Sequence, residues 1–162
     1  MLFNKILFFE ITSFLKAANI GGVIVKLSKS EHTIIHTATV AAGVVGASPI
    51  PFSDAALLVP IQTTMIVALY KRNGLTISQG VVQGVLKATL ISGFGKSLAG
   101  NLLKFIPGVG TITGGVINIG VAITFTEFLG FSVARELHGV EDIDMLDLTQ
   151  VISNAIKTFS KI

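Results

Sequence analysis

The stretch IIHTATVAAGVVGASPIPFSDAALLVPIQTTMIVALY, residues 34–70, carries the reading of the fold. Asp54 is its only charged residue. Pro49 and Pro51 interrupt it, and neither fits a helix interior, because proline donates no amide hydrogen and crowds the preceding turn. Two helices and a turn result. Ser53 is a fitting N-cap for the second helix, with Asp54 in the first turn, where the helix dipole favours an acid. Lys71 and Arg72 suit a last turn, and Gly74 a stop. Pro60, inside this helix, is expected to kink it or to mark a late start. Folding the hairpin at Pro49, Pro51 and Asp54 places Lys26, Lys29, Lys71 and Arg72 together at the other end. That bias suits lysines and arginine facing an anionic leaflet. About 17 helical residues reach only about 25 Å, short of the roughly 30 Å hydrocarbon core. Such a hairpin would insert shallowly, re-enter or thin the bilayer; a hairpin buried in protein is the alternative.

Outward from the hairpin, the rest also reads as helix. Residues 2–18 form an N-terminal stretch in which Glu10 interrupts the apolar run, so an interfacial amphipathic helix is expected rather than a signal peptide. A fourth stretch spans about residues 77–104 and closes at Pro107. Its Lys87, Lys96 and Lys104 fall on different helix faces, which argues against simple membrane crossing. From Gly108 to Ala134 only Glu127 is charged. The alternation in TIT and INI would allow a hairpin of strands, but the length of the apolar run favours a helix. Leu148, Val151, Ile152, Ala155, Ile156, Phe159 and Ile162 then fall on one face of a C-terminal amphipathic helix. Asp147 and Gln150 supply a capping-box-like start. The expected fold is all-α: a bundle of about five helices, built from two apolar helical hairpins plus terminal amphipathic helices. The expected organisation is an N-terminal helix and linker over 1–31, a hydrophobic helical domain over 32–136, and an acidic linker with the last helix over 137–162.

Composition presses the same way. Charged residues make up 13% of the 162, against about 25% in soluble domains. Mean hydropathy is +0.78. So apolar a chain is expected to cover itself by membrane contact or by homo-oligomerisation. Residues 1–104 hold nine Lys/Arg against three acids, a net of +6, whereas residues 105–162 hold three against six, a net of −3. The basic first part suits an anionic membrane face. Scattered lysines, a single tyrosine and no tryptophan argue against nucleic acid as a partner. The absence of cysteine excludes disulfide and thiolate chemistry.

Candidate chemistry is sparse, and no catalytic residues, cofactor or metal site are expected. Gly95-Lys96-Ser97 mimics the end of a phosphate loop, but Leu90 stands where the pattern needs glycine. His32 and His36 share a helix face at a spacing that metal sites use, yet a third ligand is not evident and a plain helix-start pair is the expectation. His138 stands alone. The acids Glu136, Glu141, Asp142, Asp144 and Asp147 lack the alternation and glycine of a calcium loop, and read as a solvated linker. Glu127 is expected to face the bundle interior, to pair with a lysine or to be protonated. Gly80 with Gly84, and Gly110 with Gly114, form GxxxG pairs that let helices approach closely.

Three motifs resemble a known family: ASPIPFSDAALLVPIQTTMIVALYKRNG, KFIPGVGTITGG and TFTEFLG. Pro51, Asp54, Pro60, Gln62, Met65, Gly74, Pro107, Gly110, Thr124 and Gly130 carry the likeness. Over about two-thirds of the chain it is similar to the glycine-rich hydrophobic domain found C-terminal to bacterial Era-like GTPases and in related bacterial inner-membrane proteins. That resemblance implies a helical, membrane-associated, non-enzymatic domain on the cytoplasmic side of a bacterial inner membrane, working beside a GTPase. It brings no catalytic residues. The departure is the GTPase itself: no phosphate loop or nucleotide-specificity motif precedes the matching stretch. A GTPase partner is therefore expected as a separate chain, unless the dependence has been lost. The leading expectation is a module that self-assembles or anchors a partner. A membrane-permeabilising, toxin-like pore former and a soluble helical homo-oligomer are the rivals.

Overall fold

The computed structural model describes residues 26–47, 54–94, 114–139 and 148–159. They form five helices: α1 (Lys29–Gly46), α2 (Asp54–Arg72), α3 (Gln79–Phe94), α4 (Gly114–Gly139) and α5 (Leu148–Phe159). Among the described residues there is no strand, so the run beginning at Gly114 is helix and not a β-hairpin. It also continues past Ala134 to Gly139. The N-terminal stretch, the turn prolines Pro49 and Pro51, Gly110 and the acids from Glu141 to Asp147 lie outside the described residues.

Local chemistry sets the ends of the hairpin. Ser28 caps α1: its hydroxyl accepts the Glu31 amide at 3.3 Å, and the Glu31 carboxylate accepts the Ser28 amide at 2.7 Å. This reciprocal box satisfies two otherwise orphaned donors. α2 starts at Asp54 and runs through Pro60 without a break, so the expectation of a late start fails. Its end is a Schellman closure, in which the Gly74 amide bonds the Lys71 carbonyl and the Leu75 amide bonds the Tyr70 carbonyl. Gly74 sits at φ +77°, a left-handed conformation that glycine adopts without the penalty a Cβ brings.

The bundle is organised around α4. α1 packs along most of its length, α2 touches both α1 and α4, and α3 joins α2; α5 closes the far side against α3 and α4. Ile35, Ile66, Leu69, Leu86, Leu129 and Ile152 are fully enclosed, so every helix contributes to one core. The predicted face of α5 is confirmed at Leu148, Val151, Ile152, Ala155 and Ile156, all buried. α5 belongs to the common core, and positions 31 and 136 fall inside α1 and α4.

Two glycines let helices meet closely. A Cβ on Gly130 would lie 2.9 Å from both Ile35 Cγ1 and Met65 Sδ, and one on Gly43 would lie 3.0 Å from Ile123. Gly80 and Gly84 behave differently: both are exposed, with open space beside them. Among the described residues, no side chain packs against Gly80 or Gly84. Gly114 opens α4. Among the described residues no helix is long and apolar enough to cross a membrane.

Candidate functional site

The expected clustering of cations at one end of the hairpin is present. Asn73, just past the end of α2, donates from Nδ2 to Glu31 Oε1 in the first turn of α1 at 3.0 Å, which fixes these two ends side by side. Lys26, Lys29, Lys71 and Arg72 all surround that junction and all are exposed. On α1 and α2 the acid at this end is Glu31, and it is turned inward, 1% exposed. Asp54 starts α2 at the opposite end. The outward charge of this end of the hairpin is therefore positive.

Glu31 is the keystone of the site. Its Oε2 accepts from the Ser28 amide and from the Ser28 hydroxyl at 2.8 Å; its Oε1 accepts from Asn73 and lies 2.8 Å from His138 Nε2, near the end of α4. One carboxylate thereby ties α1, the α2 terminus and α4. Burial alone would push its pKa up, but hydrogen bonds from the Ser28 amide, Asn73, the Ser28 hydroxyl and His138 outweigh it and hold the carboxyl at about 2. The spacing Ser28-Lys29-Ser30-Glu31 is a capping-box signature. The His138 partnership, 107 positions away, has no such local signature.

A second acid is buried further along the bundle. Glu127 faces the interior as expected, but its partner is a histidine and not a lysine: His36 Nδ1 lies 3.1 Å from Glu127 Oε1. Burial pushes the Glu127 carboxyl up, and the facing imidazole opposes that shift. In the same region Gln62 Nε2 donates to Thr126 Oγ1 at 3.2 Å, joining α2 to α4. Gln62 Oε1, Thr63 Oγ1 and the Tyr70 hydroxyl are buried with no hydrogen-bond partner among the described residues. Burial pushes the Tyr70 hydroxyl to about 12. The large apolar side chains exposed among the described residues are Val40 and Val44 on α1, Leu57 on α2 and Val81 on α3.

These groups do not form a nucleophile with its base, or a pair of carboxylates facing a common space. What they build is a rigid hairpin with a cationic end and a weakly polar outer face. Comparison with family models, with curated proteins and with solved structures gives no match.

Proposed function

We propose that this chain is a non-enzymatic, membrane-associating helical module that docks through the basic end of the α1–α2 hairpin and there self-assembles or anchors a partner. The convergence of Lys26, Lys29, Lys71 and Arg72 around an inward-turned Glu31 carries this reading. Each exposed cation near an anionic leaflet contributes about 1 kcal/mol, so four supply about 4 kcal/mol at low salt. The exposed valines of α1 add apolar contact on the same hairpin. Docking from one side requires no spanning helix, which agrees with the lengths of the described helices. A separate GTPase chain as partner, and the cytoplasmic face of a bacterial inner membrane as location, rest on the sequence resemblance.

The test is co-sedimentation with vesicles. The chain is expected to pellet with phosphatidylserine-containing vesicles, to stay in solution with phosphatidylcholine alone, and to be released by salt. Reversing Lys26, Lys29, Lys71 and Arg72 to glutamate is expected to abolish pelleting. Equal binding to neutral and anionic vesicles, or none to either, refutes the proposal.

Self-association has its own support. Gly80 and Gly84, with the exposed Val81 between them, form a strip on α3 that no described side chain covers at either glycine. Sizing of the purified chain tests it: a monomer at all concentrations removes this part of the reading.

A further inference from the structure

The outer face of α1 holds an arrangement that the docking function does not use. His36 is half-exposed, with 41% of its side chain open to solvent, whereas Glu127 behind it is buried. The 3.1 Å contact assigns the His36 Nδ1–H as donor to the carboxylate, which leaves the Nε2 lone pair on the opposite side of the ring. His32, one helical turn earlier, lies nearly parallel to it, with ring centroids 5.9 Å apart and planes 24° from each other. Among the described residues the ring nitrogens of His32 make no hydrogen bond. The edge of Phe131 supports both rings, at 5.4 Å and 6.1 Å. A shallow surface depression lies over the pair, lined by His32, Thr33, His36, Thr37 and Val40.

We propose that His32 and His36 chelate one late first-row divalent metal ion of the Zn²⁺ or Ni²⁺ kind, with Glu127 as the positioning residue that fixes the His36 tautomer. Imidazole nitrogen suits these ions, and neutral histidines are their commonest protein ligands. Metal–nitrogen bonds of about 2.0–2.1 Å need the two nitrogens no more than about 4 Å apart. Rings on one helix face at the observed spacing meet that limit by side-chain rotation. A ligating histidine that gives its other N–H to a carboxylate is the usual support of a protein metal site. Packing against Phe131 accounts for two stacked rings; it gives no reason for a buried carboxylate aimed at the inner nitrogen of a half-exposed one. Among the described residues no three histidines or acids gather as a closed metal cage, so the two histidines alone are the proposed ligand set. The site therefore binds a surface ion and does not hold the fold together.

The test is calorimetric titration of Zn²⁺ into the full chain, with Ni²⁺ as a second probe. A single equivalent is expected. His32→Gln and His36→Gln are each expected to lower affinity at least about tenfold, and Glu127→Gln by about 10–100-fold, while His138→Gln leaves it unchanged. Both ligand histidines are at the surface, so far-UV circular dichroism should show these variants folded even if Glu127→Gln is not. In nitrogen-labelled protein the His36 Nδ1–H resonance should shift when Zn²⁺ is added, a readout that mere packing would not move. If the wild type takes up neither ion, or if the His36→Gln chain binds as tightly as wild type, the proposal is overturned.

Discussion

Replacing Glu31 by glutamine keeps the side chain's shape and removes its charge. The carboxylate accepts four hydrogen bonds, from the Ser28 amide, the Ser28 hydroxyl, Asn73 and His138. An amide in its place has one oxygen and one NH₂, so whichever way it turns, a donor of the site faces another donor. The size of the loss follows from the proton affinity. A carboxyl held at about 2 rather than 4.5 stabilises the folded chain by about 3 kcal/mol at neutral pH. In a chain of this length that corresponds to a fall of roughly 6–12 °C in Tm. The folded pKa is the depressed one, so this stability is fully present above the unfolded value and is lost as pH falls from 4.5 towards 2. Urea unfolding followed by far-UV circular dichroism, for wild type and Glu31→Gln at about pH 7, 5 and 3, measures it. The gap between the two proteins should be widest at neutral pH and should narrow steadily through the acid range. A gap below about 0.5 kcal/mol at neutral pH, or one that does not change with pH, would falsify the keystone role.

Glycine substitutions should have opposite signs at two places. Gly130→Ala should destabilise, because its Cβ would meet Ile35, a β-branched side chain with little rotamer freedom, and about 1–3 kcal/mol of overpacking exceeds the roughly 1 kcal/mol gain in helix propensity. Gly84→Ala should stabilise by about 0.5–1 kcal/mol, since nothing crowds the new methyl group; a lower Tm in that variant refutes its exposure. Val40→Asp with Val44→Asp should leave stability within about 0.5 kcal/mol of wild type, because both side chains are exposed, yet should weaken pelleting with anionic vesicles. Unchanged pelleting would confine docking to the basic end.

Much of this architecture was legible because it depends on short-range chemistry. The α1–α2 hairpin follows from proline placement and charge-free runs, and the stop at Gly74 from a residue able to take positive φ. The α5 face follows from apolar spacing that the bundle then buries. The less legible features are those where local rules are overridden or non-local partners decide. Pro60 sits within a helix whose neighbours keep it helical despite the lost donor. Gly80 and Gly84 carry the familiar close-packing spacing; the close approaches seen among the described residues run through Gly43 and Gly130, where no spacing rule pointed. His138 looked solitary because its partner lies more than a hundred residues earlier. Glu127 was recognised as an interior acid, whereas its partner depended on which face of α1 meets α4.

The low charge content need not make the chain wholly a lipid-seeking one, since the described helices give much of their apolar surface to each other. What they leave outside is uneven. α5 has turned its apolar face into the core, and the large apolar side chains still exposed lie on α1, α2 and α3. The hairpin that carries Val40, Val44 and Leu57 also carries the four clustered cations, and its acid at that end is sealed inside by hydrogen bonds. Burying Glu31 therefore serves two ends through one group: it locks three helices together and keeps the carboxylate off the surface that the lysines occupy. A protein built only for stability could have capped α1 with an exposed acid at smaller desolvation cost. Turning that acid inward, against His138 and Asn73, leaves the cations as the charged groups that this end of the hairpin presents at its surface.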